Sequence, residues 1–344
     1  MSEKKHYLMF CSLAYAFPIL RPIQEEIRRR GDECAWFIEK ECPNLLNEDE
    51  LQLYTSDEVK DYNPIAVFVP GNWVYDWFPG VKVQVFHGYP INKRGDKVDD
   101  HFRMRGWFDI YCTSGPTSTP TFKQLSESLG YFKVYETGWC KVDSLVTPLL
   151  NNEKKDRKTV FVATTFSKDI CALNTLYPTI KKLATEKDWD WIITMHPKLQ
   201  DYELEKKYRL LERECPNVSF TTQTKVKDMQ KADVMLCDSS SIIVEFMILD
   251  KPVVTYRNTN PGPQILNVLD IEEIEDALEI ALRRPDELMQ NIHEYTSKHE
   301  AHRDGKNCSR ILDAVDDFIL NYKGRLKSKP LNLIRRIKLR LKQM

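Results

Sequence analysis

An acidic residue and three serines, residues 238–241, separate two apolar stretches of the sequence. The stretch before them, 232–237, has the short and partly β-branched character of a buried parallel strand. The stretch after them, 241–249, is apolar on too many sides for a half-exposed strand and predicts a buried helix. Hydroxyls and free N–H groups at a helix N-terminus bind phosphate, but Asp and Ser are also common N-caps. Taken alone, the segment fits both a phosphate site and a helix cap.

Five other polar residues and one glycine also follow predicted strands directly. They are His87, Ser114, Gly138, Thr164, Thr165 and His196. Because the carboxyl ends of parallel strands meet at one edge of a sheet, we expect these residues to lie on the same rim as the serines. A helix cap does not require such residues at the ends of other strands. The pattern therefore favours phosphate binding over capping for the segment 238–241.

The elements that position these residues form two alternating series of strands and helices. The first series runs from 7 to 148 and the second begins at 159, after the polar and charged segment 151–158. Such alternation predicts an α/β protein with parallel sheets that carry helices on both faces. We expect two Rossmann-like domains, 1–150 and 151–322, that face a cleft at the carboxyl ends of their strands.

Composition excludes several classes of protein. The 50 basic and 51 acidic residues give no general attraction to nucleic acid, and no apolar run approaches the length of a membrane span. Nine cysteines without a C-x-x-C pair favour a reducing compartment over a disulfide framework or a zinc site. The segment 4–16 resembles a secretory signal, but we interpret it as the first strand of a strand–helix–strand unit. We expect neither a cofactor nor a tightly bound metal.

The carboxyl-terminal segment 323–344 has nine Lys or Arg residues and no Asp or Glu. Pro330 is well placed to start a helix. One face of that helix would carry Leu333, Ile334, Ile337 and Leu341, with Leu339 on the cationic side. Such a helix lies in the interface of an anionic membrane surface and predicts a peripheral location on the cytoplasmic face of the cell membrane. The alternative is a disordered, solvated basic end.

Seven short segments resemble, in the correct order, the CDP-glycerol glycerophosphotransferase family, which comprises the teichoic-acid primases and polymerases. These segments are QVFHGYPINKRG (84–95), TGWCKVDSL (137–145), VFVATTF (160–166), IITMHPK (192–198), KADVMLCDSSSIIVEFMILDKPVV (231–254), NPGP (260–263) and HRDGKNCSRILD (302–313). Three residues depart from the family pattern: Tyr89 replaces a Thr, Thr165 a Pro, and Ser239 a Tyr.

The resemblance implies a two-domain fold of the glycosyltransferase-B type. It also implies a transferase that moves glycerol phosphate from CDP-glycerol, or a similar CDP-polyol, to a hydroxyl of a lipid-linked acceptor and releases CMP. The product would belong to a bacterial surface polymer such as teichoic acid or capsule. Domain 1–150 would take the acceptor and domain 151–322 the donor nucleotide.

The resemblance further implies roles for single residues. His87 would be the general base, and His196 would touch the phosphate or assist the leaving group, unless either is a core histidine held by a backbone carbonyl. The donor would be bound by Asp238, Ser239, Ser240, Ser241, Arg257, Arg303, Lys306 and Thr165. Lys93 and Arg94 would meet the acceptor. Taken singly, each of these five cations also fits a solvated surface charge. Asp238 remains ambiguous between a helix cap and a contact to donor hydroxyls.

Three other functions remain open. A glycosyltransferase of the same fold could use a nucleotide sugar to build a surface polysaccharide. A sugar-nucleotide epimerase would also suit the fold, but it has no need of the basic tail. A non-catalytic scaffold or donor-sensing subunit would be favoured by loss of a catalytic histidine, and both histidines are present. The sequence is compatible with a homo-oligomer.

Overall fold

The structure is a computed structural model that describes residues 3–89, 101–148, 156–167, 170–196, 198–223 and 225–343. The chain divides into two compact units. Unit 1 contains the described residues of 3–89, 101–144 and 298–343, and unit 2 contains those of 145–297. Residues 298–322, which the sequence analysis places in the carboxyl-terminal domain, group with unit 1. The boundary between residues 150 and 151 stays a prediction.

The described strands form one parallel sheet in each unit. They are β1 His6–Cys11, β2 Glu33–Ile38, β3 Leu51–Leu53, β4 Ala66–Val69, β5 Val81–Gln84, β6 Ile110–Thr113, β7 Lys133–Glu136, β8 Lys158–Ala163, β9 Trp189–Thr194, β10 Val218–Thr221, β11 Val234–Cys237, β12 Val253–Tyr256 and β13 Leu266–Val268. The strand orders are β3-β2-β1-β4-β5-β6-β7 in unit 1 and β10-β9-β8-β11-β12-β13 in unit 2. The order reverses between β1 and β4 and again between β8 and β11, which makes each pair a topological switch point.

Helices alternate with these strands. They are α1 Ala16–Arg29, α2 Ser56–Tyr62, α3 Thr119–Leu129, α4 Lys141–Val146, α5 Leu173–Glu186, α6 Tyr202–Glu214, α7 Val226–Lys231, α8 Ile242–Ile248, α9 Ile274–Leu282, α10 Asp286–His299, α11 Asn307–Asn321 and α12 Leu333–Gln343. Helix α1 has the apolar periodicity of a helix that buries one face. Its Ile19, Ile23 and Ile27 recur every fourth residue and are all buried. Gly31, at a φ of +81°, then turns the chain towards β2.

The cores lie on both faces of each sheet. All four residues of β4 and all four of β11 are buried, as expected where helices cover both sides of a parallel sheet. β1, from the signal-like segment, pairs with β2 and β4 in the middle of its sheet. The predicted fold class, with two Rossmann-like domains and a helical carboxyl terminus, is confirmed. Within the described part of the chain, no helix has both the length and the hydrophobicity of a membrane-spanning segment.

Candidate functional site

The switch point of unit 2 is bridged by the carboxylate of Asp238. This residue follows β11 and is only 1% exposed. Its oxygens accept hydrogen bonds from the N–H of Thr165, which follows β8, at 2.9 and 3.1 Å, and from the N–H of Ala172 at 3.1 Å. Burial raises the pKa of Asp238, and these amides oppose part of that rise. Asp238 therefore holds the ends of two adjacent strands together.

The loop after β12 is tied to the serine segment. The Asn258 side chain donates to the carbonyl of Asp238 at 2.6 Å, and Ser239 Oγ accepts the Thr259 N–H at 2.9 Å. The loop begins at Arg257, whose φ of +50° puts it in the left-handed region. These bonds fix the loop at the carboxyl ends of β11 and β12.

A cavity of about 190 Å³ opens at this edge of the sheet. Its polar lining consists of Ser239, Ser240, Asn258, Thr259, Asn260, Gln264 and Tyr295. Ile243, Val244 and Met247 of α8 form an apolar wall. Pockets that enclose a whole drug-sized ligand measure roughly 300–1,000 Å³. The cavity therefore fits one part of a larger ligand, with hydroxyl and amide groups to orient it.

The segment 238–241 does not act as a side-chain cap for α8. The Asp238 carboxylate bonds to Thr165 and Ala172 instead, and Ser241, at the N-cap position, makes no side-chain capping bond. Ser239 and Ser240 line the cavity, whereas Ser241 is not among its lining residues. Helix α8 has only seven residues, which is too short for its N-terminus to form a ligand site by itself. A site here therefore depends on the side chains that line the cavity.

His196 lies at the same edge of unit 2, after β9. Its half-buried ring is 4.7 Å from that of Phe166, the residue after Thr165. Its Nδ1 accepts the N–H of Lys198 at 3.1 Å. In the neutral ring the proton is therefore on Nε2, which can donate it.

Of the predicted cations, Arg257 belongs to unit 2. Arg257 donates from Nε to the carbonyl of Leu269 at 3.0 Å and does not line the cavity. Arg303 and Lys306 belong to unit 1. Lys93 and Arg94 lie outside the described residues.

His87 lies at the switch point of unit 1. Its Nδ1 is 3.2 Å from the carbonyl oxygen of Pro70, which follows β4, and its ring is 5.1 Å from that of Tyr15. A carbonyl only accepts, so Nδ1 carries the proton and Nε2 of the neutral ring is an acceptor. The two histidines thus have opposite tautomers. The catalytic roles of both stay predictions.

Unit 1 also contains a buried polar network that the sequence did not reveal. Glu300 is 2% exposed and accepts hydrogen bonds from Tyr89 Oη at 2.6 Å, from the Trp139 N–H at 3.2 Å and from Asn307 Nδ2 at 3.1 Å. Burial raises the pKa of Glu300 to about 8. The sequence carries only a weak signal of this network. Gly138, beside Trp139, and Asn307 belong to two of the segments that resemble the glycerophosphotransferase family.

The N-terminus of α11 is occupied from within the chain. The Asp143 carboxylate accepts the N–H groups of Asn307 at 2.9 Å and Cys308 at 2.7 Å. A carboxylate at this position interacts favourably with the helix dipole. The segments 137–145 and 302–313 therefore meet in a structural contact. In the parts of the chain that the structure describes, no group of three or more His, Cys, Asp or Glu residues is arranged to hold a metal ion.

Comparison with protein families identifies the family of the chain. A family model, UDP-N-acetylglucosamine 2-epimerase, matches residues 125–316, more than half of the chain. The chain belongs to the UDP-N-acetylglucosamine 2-epimerase family. The match to this epimerase family spans the cavity of unit 2, His196 and the Asp143–α11 contact. A comparison with curated protein sequences finds no match.

Solved structures share the epimerase-family fold at low sequence identity. A UDP-N-acetylglucosamine 2-epimerase has a TM-score of 0.59 and 16% identity, with 96% of this chain and 100% of that chain covered. The S. aureus MnaA-UDP co-structure has a TM-score of 0.60 and 14% identity, with 95% and 100% covered. The wall teichoic acid polymerase TagF has a TM-score of 0.65 and 13% identity, with 92% and 89% covered. At these identities the similarity shows the fold alone.

The family match corrects the resemblance to the CDP-glycerol glycerophosphotransferases, which is wrong. The transferase activity, the CDP-glycerol or CDP-polyol donor, the lipid-linked acceptor and the teichoic-acid role fall with it. The resemblance misleads because its short motifs lie at the strand ends and helix starts of a fold that TagF and the epimerases share. The sugar-nucleotide epimerase, which the sequence analysis leaves open although it has no need of the basic tail, is the alternative that the family match supports.

Proposed function

We propose that this protein is an enzyme that inverts the configuration at carbon 2 of UDP-N-acetylglucosamine. The observation that carries the proposal is the family match over residues 125–316. The S. aureus neighbour, a complex with UDP, supports a uridine nucleotide as the bound group. The enzyme would act on a nucleotide sugar in place of the CDP-polyol expected from the sequence.

We place part of the nucleotide sugar in the cavity of unit 2. Ser240 and Asn260 line it with polar side chains. The hydrogen bonds from Asn258 to Asp238 and from Thr259 to Ser239 hold that lining in place. Ligands of open parallel sheets bind outside the carboxyl ends of the strands near the switch point. The cavity has this position because it opens beside the ends of β11 and β12.

Inversion at carbon 2 breaks its C–H bond and re-forms it on the opposite face of the sugar ring. The site must therefore accept a proton and return one, and histidine suits both tasks near neutral pH. His196 is our candidate in unit 2 for the group that returns the proton, because its Nδ1 is held by the Lys198 N–H and its Nε2 carries a proton that it can donate. We expect His196→Gln to lower turnover by roughly 10²-fold.

Direct conversion tests the proposal. The purified full-length chain is incubated with UDP-N-acetylglucosamine, and the nucleotide sugars are separated and identified by NMR. We expect its C2 epimer to accumulate to a fixed ratio, whichever epimer is supplied. CDP-glycerol, supplied separately, should release no CMP. Release of UDP from the nucleotide sugar without any epimer would instead indicate transfer or hydrolysis and would contradict the proposal.

A further inference from the structure

The basic carboxyl-terminal segment is anchored on unit 1. Lys329 forms an ion pair with Asp109 at 2.7 Å and donates to the carbonyl of Trp107 at 2.9 Å. The Asn332 side chain donates to the carbonyl of Arg105 at 2.8 Å. These contacts hold the chain immediately before α12 in a fixed path, so α12 presents a defined face to solvent.

Helix α12 packs on unit 1 through its cationic side. Arg336 pairs with Asp76 at 3.2 Å, and Arg335 donates to the carbonyl of Arg105 at 3.0 Å. Leu339, the one leucine on this side, packs against the core of unit 1. The residue that breaks the amphipathic pattern in the sequence is therefore the one that attaches the helix to the protein.

The opposite side of α12 is an apolar face open to solvent. We define it by Leu333, Ile334, Ile337 and Leu341, which are 63, 73, 56 and 65% exposed. At 3.6 residues per turn these four side chains lie within an arc of roughly 100°. The exposed cations Lys338 and Arg340 flank the arc, one on each side. An apolar stripe bordered by cations is the arrangement of helices that lie in a membrane interface.

Charge decides which partner covers this face. Residues 323–344 contain nine Lys or Arg and no acidic residue, so pairing of two copies through this helix would bring like charges together. An anionic lipid surface complements the same charges and accepts the apolar side chains between its headgroups. We propose that the apolar face of α12 binds the protein reversibly to an anionic lipid bilayer surface. The fixed packing of α12 means that unit 1 meets the bilayer in one orientation.

Vesicle sedimentation of the full-length chain tests this proposal. We expect sedimentation with vesicles of phosphatidylserine and phosphatidylcholine, and little with phosphatidylcholine alone. Binding should weaken at least tenfold between 0.1 and 0.5 M salt, a range over which the screening length falls by about half. The double variant Ile334→Glu and Ile337→Glu should lose at least tenfold in binding to the anionic vesicles.

The matched control is Leu320→Glu. Leu320 is 73% exposed on α11 and also belongs to unit 1, so this change removes an equally exposed leucine outside the apolar face. It should keep wild-type vesicle binding. Thermal unfolding of both variants should match the wild type, because neither change touches a packed side chain. Equal binding of the double variant and the wild type would overturn the proposal. Absence of vesicle binding by the wild-type protein would also overturn it. If, in addition, the double variant converted a dimer to a monomer, the apolar face would pair two copies of the chain instead.

Discussion

The carboxylate of Asp238 accepts two hydrogen bonds from the backbone N–H of Thr165, at 2.9 and 3.1 Å, across the switch point of unit 2. The same carboxylate holds the N–H of Ala172, just before α5. Asp238, for which the sequence suggests a ligand contact or a helix cap, thus joins the end of β11 to the end of β8. We call this contact the Asp238 tie. Asp238 positions the cavity wall without lining the cavity itself.

The first prediction concerns this tie. Asp238→Asn replaces one accepting oxygen by an NH₂ group that faces backbone donors. We expect it to lower the free energy of unfolding by about 1–3 kcal/mol, as measured by urea denaturation. It should also weaken UDP binding, measured by calorimetry, because the serine segment shifts.

Asp233→Asn is the matched control. Asp233 Oδ2 accepts the N–H of Thr159 at 2.8 Å, which joins the same two strands at their opposite ends. This variant should lose some stability but keep its UDP affinity. Wild-type UDP affinity in Asp238→Asn would show that the tie has no part in shaping the site.

The second prediction concerns the cavity. Ser240→Phe places a large side chain in the cavity and should weaken UDP binding at least tenfold in calorimetry. Ser241→Phe changes the neighbouring serine, which does not line the cavity, and should leave binding within about threefold of the wild type. The same loss in both variants would place the nucleotide elsewhere or indicate a general disturbance of α8, and circular dichroism would separate these two outcomes.

The third prediction concerns Gly138, which has a φ of +75°. A Cβ here would collide with the side chains of Asn307 and Glu300. Gly324 has a similar φ of +77°, but a Cβ there would meet no atom within 4 Å. Both alanine variants carry the left-handed backbone strain, and only Gly138→Ala adds the clash. We expect Gly138→Ala to be less stable than Gly324→Ala by about 1–3 kcal/mol in urea denaturation. Equal losses of stability in the two variants would mean that the side chains of Asn307 and Glu300 move aside at no cost in free energy.

The fourth prediction concerns pH. Burial raises the pKa of Glu300 to about 8 in the folded state, whereas an unfolded glutamate titrates near a pKa of about 4.3. Between these values the folded protein keeps a proton that the unfolded chain releases. Its contribution to stability is therefore full below about pH 4 and is lost as pH rises towards 8, by at most about 5 kcal/mol.

Urea denaturation at pH 5, 6.5 and 8 measures this effect. Glu300→Gln cannot titrate, so its stability relative to the wild type should increase steadily across the series. Glu127→Gln, at an exposed position of α3, should follow the wild type at every pH. If Glu300→Gln ran parallel to the wild type, the carboxyl would be ionised throughout, held by its hydrogen bonds to Tyr89, Trp139 and Asn307.

Much of the fold could be predicted from the sequence because its central strands are apolar at consecutive positions. β4 and β11 are buried on both faces and stand out between polar segments. The edge strands β3 and β13 did not stand out. Each has only three residues, and β3 has one buried residue while β13 has none that is fully buried. Short, half-covered strands leave too few apolar positions for a pattern.

The site was less predictable because its geometry depends on contacts between distant residues. Glu300 and Tyr89 are 211 positions apart, and no local periodicity connects them. The serine segment was found because it follows a strand, but the partner of Asp238 could not be read from that position. Reaction type was misassigned for the same reason: strand-end motifs report where a residue lies in the fold, and the fold is shared by enzymes with different substrates.

Exchange of the carbon-2 hydrogen with solvent tests the proposed reaction most directly. The full-length chain is incubated with UDP-N-acetylglucosamine in deuterium oxide, and the sugar C2 position is followed by proton NMR. If the enzyme removes the C2 proton and returns one from a side chain that exchanges with solvent, deuterium should replace the C2 hydrogen in both epimers at a rate that His196→Gln lowers roughly 10²-fold. Retention of the C2 hydrogen in the starting sugar, with no epimer formed, would contradict the assignment of this protein as a nucleotide-sugar 2-epimerase.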